Sequence, residues 1–310
     1  MFERTREQVA GLGYAAGWGV VKQAPRGMSA RAFQAVADAA TVRNGGATRQ
    51  LRKNLRRVVG PSVSELRMDQ LVGDALRSYS RYWLETFRLP KMDVRDVAER
   101  ADAETVGHEN ILAGLDAGKG VILALPHQGN WDVAGVWLVA NHGPFATVAE
   151  RLKPDSLFDR FVAYRESLGF EIIPLTGSQR PPLEVLQERL EANKVICLLA
   201  DRDLSRNGVE VDFFGEPTRM PGGPAMLAAR TGAALLPVSL WFTDDGGWGQ
   251  RINPAVVLPD SSLPEKVELG TQAVADRFAI DIATHPADWH MLQRLWLSDL
   301  PPRRSEGSGD

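Results

Sequence analysis

Ten residues from Leu123 to Asp132 read Leu-Ala-Leu-Pro-His-Gln-Gly-Asn-Trp-Asp, a histidine and a carboxylate five positions apart. An imidazole whose one ring nitrogen is held by a carboxylate keeps a fixed tautomer, and its other nitrogen is free to take a proton from a hydroxyl. His127 and Asp132 are therefore the candidate catalytic pair, with Asp132 expected to reach back toward the imidazole. A strand ends before Pro126, a turn follows, and Asn130 is a cap for a helix that starts at Trp131. That puts His127 at the carboxyl end of a strand, where open α/β sheets bind ligands. The plain alternative is a structural histidine bracing the turn.

Two more strand ends carry acids. Thr147-Val148-Ala149 closes on Glu150, and Cys197-Leu198-Leu199-Ala200 closes on Asp201, followed by Arg202 and Asp203. Arg165 lies on the polar side of the helix after Glu150. Asp212 to Pro224 supplies Phe213, Phe214, Arg219 and glycines ahead of a helix N-terminus, a setting for an oxyanion or a phosphate. Near the C-terminus stands His285-Pro-Ala-Asp-Trp-His290. A covalent acyl-enzyme is not expected, because there is no Gly-x-Ser-x-Gly elbow and the one cysteine, Cys197, sits inside an apolar run. The stretch Gly114 to Gly120 has the wrong spacing and place for a phosphate loop. Asp201-x-Asp203 after a strand also resembles the metal-binding pair of a glycosyltransferase that uses sugar nucleotides, so that reading stays open. A non-catalytic lipid-binding protein is a further alternative.

The elements that must position these groups follow from periodicity. Apolar runs at 121–125, 146–149, 171–174, 195–199 and 235–242 alternate with helical patterns at 131–141, 154–168, 182–193 and 224–231, and a last helix spans 265–283. This predicts an α/β fold with a mostly parallel central sheet and helices on both faces. The first 110 residues read as helical. Within them Arg49, Arg52, Lys53, Arg56 and Arg57 share one helical stripe, while Leu51, Leu55, Val58 and Val59 form another. Tyr79, Tyr82, Trp83 and Phe87 make an aromatic stripe, either core packing or a greasy wall for lipid. Residues 1–310 are expected to form a single domain: a helical membrane-facing segment (1–110), an α/β core (119–300) and a disordered polar tail (303–310).

Composition sets the limits. A chain of 310 residues that is 44% apolar and 24% charged is an ordinary folded protein, and a single cysteine excludes a disulfide framework. The first 60 residues hold eleven Lys/Arg against three acids, while the net charge is only −3, so a basic head precedes an acidic body. Such a head suits an anionic surface. The uncharged run from Gln8 to Val21 is too short and glycine-rich for a membrane span, which needs about 20 apolar residues, and no signal peptide is expected.

Taken in order, Leu125 to Asp132, Ala149 to Pro154, Tyr164 to Phe170, Asp212 to Pro221 and His285 to Leu292 resemble the lipid A biosynthesis (lauroyl/myristoyl) acyltransferase family of the glycerolipid acyltransferase superfamily. The likeness is strongest to its actinobacterial branch, which acts on phosphatidylinositol mannosides. The resemblance implies a glycerolipid-acyltransferase-like fold and an O-acyltransferase, peripheral on the cytoplasmic face of the inner membrane. It would move palmitate from acyl-CoA, a co-substrate, to the 6-hydroxyl of the mannose on the inositol 2-position, with no cofactor and no metal. A lipid A-type or lysophospholipid acceptor is the variant within the family. His127 would be the general base and Asp132 its motif partner, with Glu150, Arg165, Asp201, Arg202 and His285 lining the headgroup site. Arg219, Phe213 and Phe214 are expected toward acyl-CoA, the Arg49 to Arg57 stripe toward an anionic lipid surface, and no nucleic-acid partner is expected.

Overall fold

The computed structural model describes residue 21 and residues 23–150, 155–177, 180–205 and 207–300. Most of the Gln8 to Val21 run, Arg151 to Pro154 and the 303–310 tail lie outside the described residues. Ten helices occur among them, beginning with α1 (Arg26–Arg43), α2 (Gly46–Val59), α3 (Glu65–Arg88) and α4 (Val94–Asp102). The stops are local: Asn44 adopts a left-handed conformation after α1, and Gly60 (φ 81°) precedes Pro61 after α2. Ser64 caps α3 by accepting from the Arg67 N–H.

The rest alternates as the periodicity predicts. β1 (Thr105–Val106) and α5 (His108–Asp116) lead into β2 (Val121–Leu125), α6 (Trp131–His142), β3 (Phe145–Ala149), α7 (Asp155–Ser167) and β4 (Phe170–Pro174). Then follow α8 (Pro182–Glu191), β5 (Val195–Leu199), a hairpin of β6 (Val209–Phe213) and β7 (Glu216–Met220), α9 (Gly223–Thr231), β8 (Ala234–Phe242), β9 (Trp248–Ile252) and α10 (Leu263–Thr284). Seven strands form one sheet in the order β1-β9-β8-β2-β5-β3-β4. β8, β2, β5, β3 and β4 are parallel, whereas β9 runs antiparallel to β8 and β1 follows β9. The periodicity reading missed β1, β9 and the β6–β7 hairpin, because β9 contains glycine and two polar residues and the hairpin strands mix charges with apolar residues.

Strand alternation builds two cores. Val121, Leu123 and Leu125 of β2 face α4 to α7, and Ile122 and Ala124 face α8 to α10. A third cluster joins Ala37 of α1, Leu51 and Leu55 of α2, and Leu71, Val72 and Leu76 of α3. No helix among the described residues is long and apolar enough to cross a membrane.

The basic stripe on α2 is not the uncompensated face that the sequence suggests. Arg52 pairs with Glu65 and Asp69, Arg56 with Glu65, and Lys53 with Asp299 at 3.7 Å. Arg57 is held at 2.8 Å by both Glu216 and Asp299 and lies over the Trp296 ring. Arg49 donates to the Asn44 carbonyl. The acids come from α3, β7 and the C-terminal segment, far along the chain, so a stripe free of acids on its own helix is partly compensated by its neighbours, while among the described residues Arg49 meets no acid and Lys53 stays largely exposed.

Candidate functional site

Strand order decides which acid meets His127. β2 and β5 are adjacent and in register, with Leu125 opposite Leu199, and the ladder continues through the Ala200 N–H to the Leu125 carbonyl at 2.8 Å. His127 and Asp201 each stand two residues past those paired ends. The His127 Nδ1–H donates to Asp201 Oδ1 at 2.6 Å, and the His127 backbone N–H donates to Oδ2 at 2.9 Å. Trp289, whose indole N–H donates to the same Oδ2 at 2.9 Å, completes the set. Asp201 is fully buried. Burial by itself pushes its carboxyl up, but the imidazole and the three N–H donors outweigh that and hold it below the ordinary carboxylate range. A carboxylate only accepts hydrogen bonds, so Nδ1 carries the proton and Nε2 presents its lone pair.

Asp132 does not contact the imidazole. Asn130 caps α6 as expected, accepting from the N–H groups of Asp132 and Val133 at 3.2 and 3.1 Å. The first turn of α6 then points Asp132 toward α3 and α7 instead of back toward β2. Its carboxylate, 1% exposed, receives Arg165 Nε at 2.8 Å and Nη2 at 3.3 Å, with Thr86 Oγ1 at 3.2 Å. Arg165 is raised further from its ordinary value: burial lowers it, but Asp132 outweighs that. Asp132 and Arg165 are thus one buried ion pair, separate from His127 and Asp201.

The other residues divide. Glu150 is exposed just past β3, and because β5 lies between β3 and β2, a whole strand separates it from His127. Arg202 is half-buried beside Asp201. His285 stacks on Trp241, centroids 4.8 Å apart and planes 3° apart, and burial lowers its pKa. Phe213 is buried in the core against Trp289 and Trp296, and Arg219 faces Glu210 across the hairpin at 3.6 Å. These two and Phe214, expected toward acyl-CoA, do not line the apolar cavity beside Trp131. Within the aromatic stripe Tyr82 is packed, 2% exposed with its ring centroid 4.0 Å from that of Trp131, whereas Tyr79, Trp83 and Phe87 are half-buried.

That cavity is a narrow slot of about 80 Å³ between α6 and the sheet, walled by Leu123, Trp137, Phe145, Phe170, Cys197 and Leu199. Asp132 and Arg165 line it, as does Trp131, whose ring stands edge-on to the His127 imidazole at 5.8 Å. A roomier cavity, about 450 Å³, opens between α1, α3 and the turn after β8. Three of its arginines are already engaged by protein: Arg77 with Asp38 and Asp74, Arg81 with Glu85, and Arg88 with the Val21 and Ala24 carbonyls.

The sequence reading did not single out Trp289 or His290 within their block. His290 is 5% exposed, and burial lowers its pKa to about 3. Its backbone N–H donates to the His127 carbonyl at 2.7 Å. Ser78 donates to Asp288 at 2.6 Å, so His290 Nε2–H donates to Ser78 Oγ at 3.0 Å, and among the described residues His290 Nδ1 is left buried without a hydrogen-bond partner. The metal-pair reading of Asp201-x-Asp203 is not supported by these donors: Asp203 accepts from Ser205 and Gly208 within its own turn, and both oxygens of Asp201 are taken by N–H groups.

Residues 2–298 match the family of bacterial lipid A biosynthesis acyltransferases. The chain is 58% identical over 297 residues to the phosphatidylinositol mannoside acyltransferase of Mycolicibacterium smegmatis, covering 96% of this chain and 94% of that one. It is 55% identical over 291 residues to the phosphatidylinositol mannoside acyltransferase of Mycobacterium tuberculosis, covering 94% of this chain and 90% of the relative.

Proposed function

The chain belongs to the bacterial lipid A biosynthesis acyltransferase family, and from that premise we propose that it transfers a palmitoyl group from acyl-CoA to a mannose hydroxyl of a phosphatidylinositol mannoside. The 6-hydroxyl of the mannose on the inositol 2-position is the acceptor atom in this reading. Working as a peripheral protein at the cytoplasmic face of the inner membrane, it would meet both substrates there. The observation that carries the chemistry is a histidine with Nδ1 bound to a buried carboxylate and Nε2 free, beside an apolar slot.

Nε2 removes the acceptor hydroxyl proton as the oxygen attacks the thioester carbonyl. The imidazolium that forms is stabilised by Asp201, which remains ionised. Collapse of the tetrahedral intermediate breaks the carbon–sulfur bond, and the proton passes from Nε2 to the departing thiolate. The slot receives the near end of the acyl chain, and a sixteen-carbon chain requires it to widen beyond its 80 Å³. Asp132 and Arg165 hold the slot wall and α3 in place and move no proton, because a guanidinium keeps its charge.

The test is incubation of the full-length protein with labelled palmitoyl-CoA and an array of lipid acceptors, read by mass spectrometry. Label on the mannose of a phosphatidylinositol mannoside is expected. Label carried only by a lipid A precursor or a lysophospholipid would replace the acceptor but keep the chemistry, whereas transfer that survives His127→Ala undiminished would remove the chemistry.

A further inference from the structure

The segment after α10 is laid across the His127 loop. Gln128 and Trp289 form an antiparallel bridge, the Gly129 N–H donates to the Asp288 carbonyl at 2.9 Å, and the His290 N–H donates to the His127 carbonyl at 2.7 Å. The Asp288 side chain pins the segment from the other side, accepting from the Phe242 N–H at 3.0 Å and from Ser78 Oγ. Trp289 is fully buried, with Phe213 and Trp296 around its ring. A buried indole carries one polar atom, a donor that must find an acceptor. Here the acceptor is the carboxylate that serves the histidine.

We propose that Trp289 is a positioning residue for the acyl transfer: its indole N–H and the His127 backbone N–H both occupy Asp201 Oδ2, which fixes the carboxylate plane and leaves Oδ1 for the imidazole. The proposal rests on the reading of His127 as general base. Oδ2 carries two donors from two different segments, so the carboxylate has no freedom to rotate about its last bond. With the indole donor gone, one of three N–H groups that stabilise the Asp201 charge is lost. The carboxylate becomes more basic and grips the Nδ1 proton harder, which raises the proton affinity of the imidazole relative to the native protein. Asp201 and His127 face each other from the ends of β5 and β2, and His290 from the overlying segment feels both. His290 stays neutral at working pH because burial lowers its pKa to about 3, so it adds no charge that would mask the change.

The experiment replaces Trp289 with 3-benzothienylalanine, which keeps the shape of the bicyclic ring and puts sulfur where the N–H was, so the core packing is preserved. Trp289→Phe serves as a second, smaller variant. The full-length proteins are labelled with ¹³C-histidine and the His127 signal, assigned by its loss in His127→Ala, is titrated by NMR. Steady-state turnover is followed across the same pH range. The sulfur analogue is expected to raise the His127 midpoint by about half a pH unit or more, to move the acid limb of kcat/KM upward by the same amount, and to lower kcat roughly tenfold, the scale of one charge-assisted hydrogen bond. An unchanged His127 titration in the folded analogue overturns the proposal, whether or not turnover falls, because a purely packing role moves activity without moving the histidine. The titration does not depend on which acceptor the enzyme uses, so an error in the assigned substrate leaves this readout intact.

Discussion

Two fully buried aspartates sit at the same edge of the sheet and do opposite work. Asp201 faces an imidazole and Asp132 faces a guanidinium, each at hydrogen-bond distance. An imidazole gains and loses its proton near neutral pH, whereas a guanidinium never does. The first pair can therefore pass a proton, and the second is a permanent strut between α6, α7 and α3. The lesson concerns motif reading: the acid nearest in sequence became the strut, and the acid that serves the histidine is 74 residues away.

The sharpest way to break this comparison is to remove each centre in turn. His127→Ala is expected to lower turnover by about 10²–10⁴-fold while the chain stays folded, since general-base catalysis contributes on that scale. Asp201→Asn should fall within about tenfold of it, because the amide cannot support the imidazolium. A half-active His127→Ala enzyme would end the assignment.

Asp132→Asn should behave differently. It strands the Arg165 charge in a mostly buried place, and breaking such a pair costs about 3–5 kcal/mol. Because the Arg165 side chain keeps 20% exposure, the low end of that range is expected. Denaturant midpoints at unchanged slope measure it. If stability held and turnover at low temperature vanished, Asp132 would belong to the proton path and the contrast would collapse.

The polar network behind the pair offers a pH test. His290 has its pKa lowered by burial from 6.5 to about 3, so below 6.5 the unfolded chain binds a proton that the native state refuses. Stability contributed by the neutral ring is therefore complete above pH 6.5 and is lost as the pH falls toward 3. One such group gives a slope of up to about 1.4 kcal/mol per pH unit. His290→Phe should flatten the stability curve between pH 6.5 and 5, and an identical slope in wild type and variant would show that the ring is protonated when folded.

The smallest effects belong to the α2 stripe, which contrasts with both buried pairs by facing solvent. Arg52→Gln and Arg56→Gln should each change stability by about 1 kcal/mol or less, as exposed ion pairs do. Binding to vesicles containing phosphatidylinositol should be unaltered in both. Loss of vesicle binding would restore the stripe as a docking surface despite its acidic partners.

Much of the fold was legible because strand and helix periods are local properties. The five apolar runs became the five parallel strands, and Asn130 before Trp131 announced the start of α6. β9 was hidden because Gly249 and the polar Gln250 and Arg251 dilute its alternation, although Thr243-Asp-Asp-Gly-Gly247 before it is a turn signal that marks a hairpin. In the site, the family resemblance makes Asp201 a headgroup residue, while its place after a buried strand leaves three roles open: binding a metal, orienting a sugar hydroxyl or supporting the histidine. Its equal offset past a strand end was visible, but pairing it with His127 requires knowing that β5 returns to lie between β3 and β2. Trp289 gave no signal beyond its place in a block that also holds two histidines.

By itself, then, the chain specified its five parallel strands and the helices between them, the placing of His127 at a strand end, and the motif order that ties it to its family, since each depends on residues close together along the backbone. Tertiary structure alone chose the partners. The insertion of β5 beside β2 brought Asp201 to the imidazole, and the C-terminal crossing brought Trp289 to Asp201. Packing of α3 and α7 against α6 turned Asp132 to Arg165, and α3 and the C-terminal segment supplied acids to a basic stripe. The physical reason is that a charge is stabilised by what lies within a few ångströms of it, and only the folded chain determines that distance.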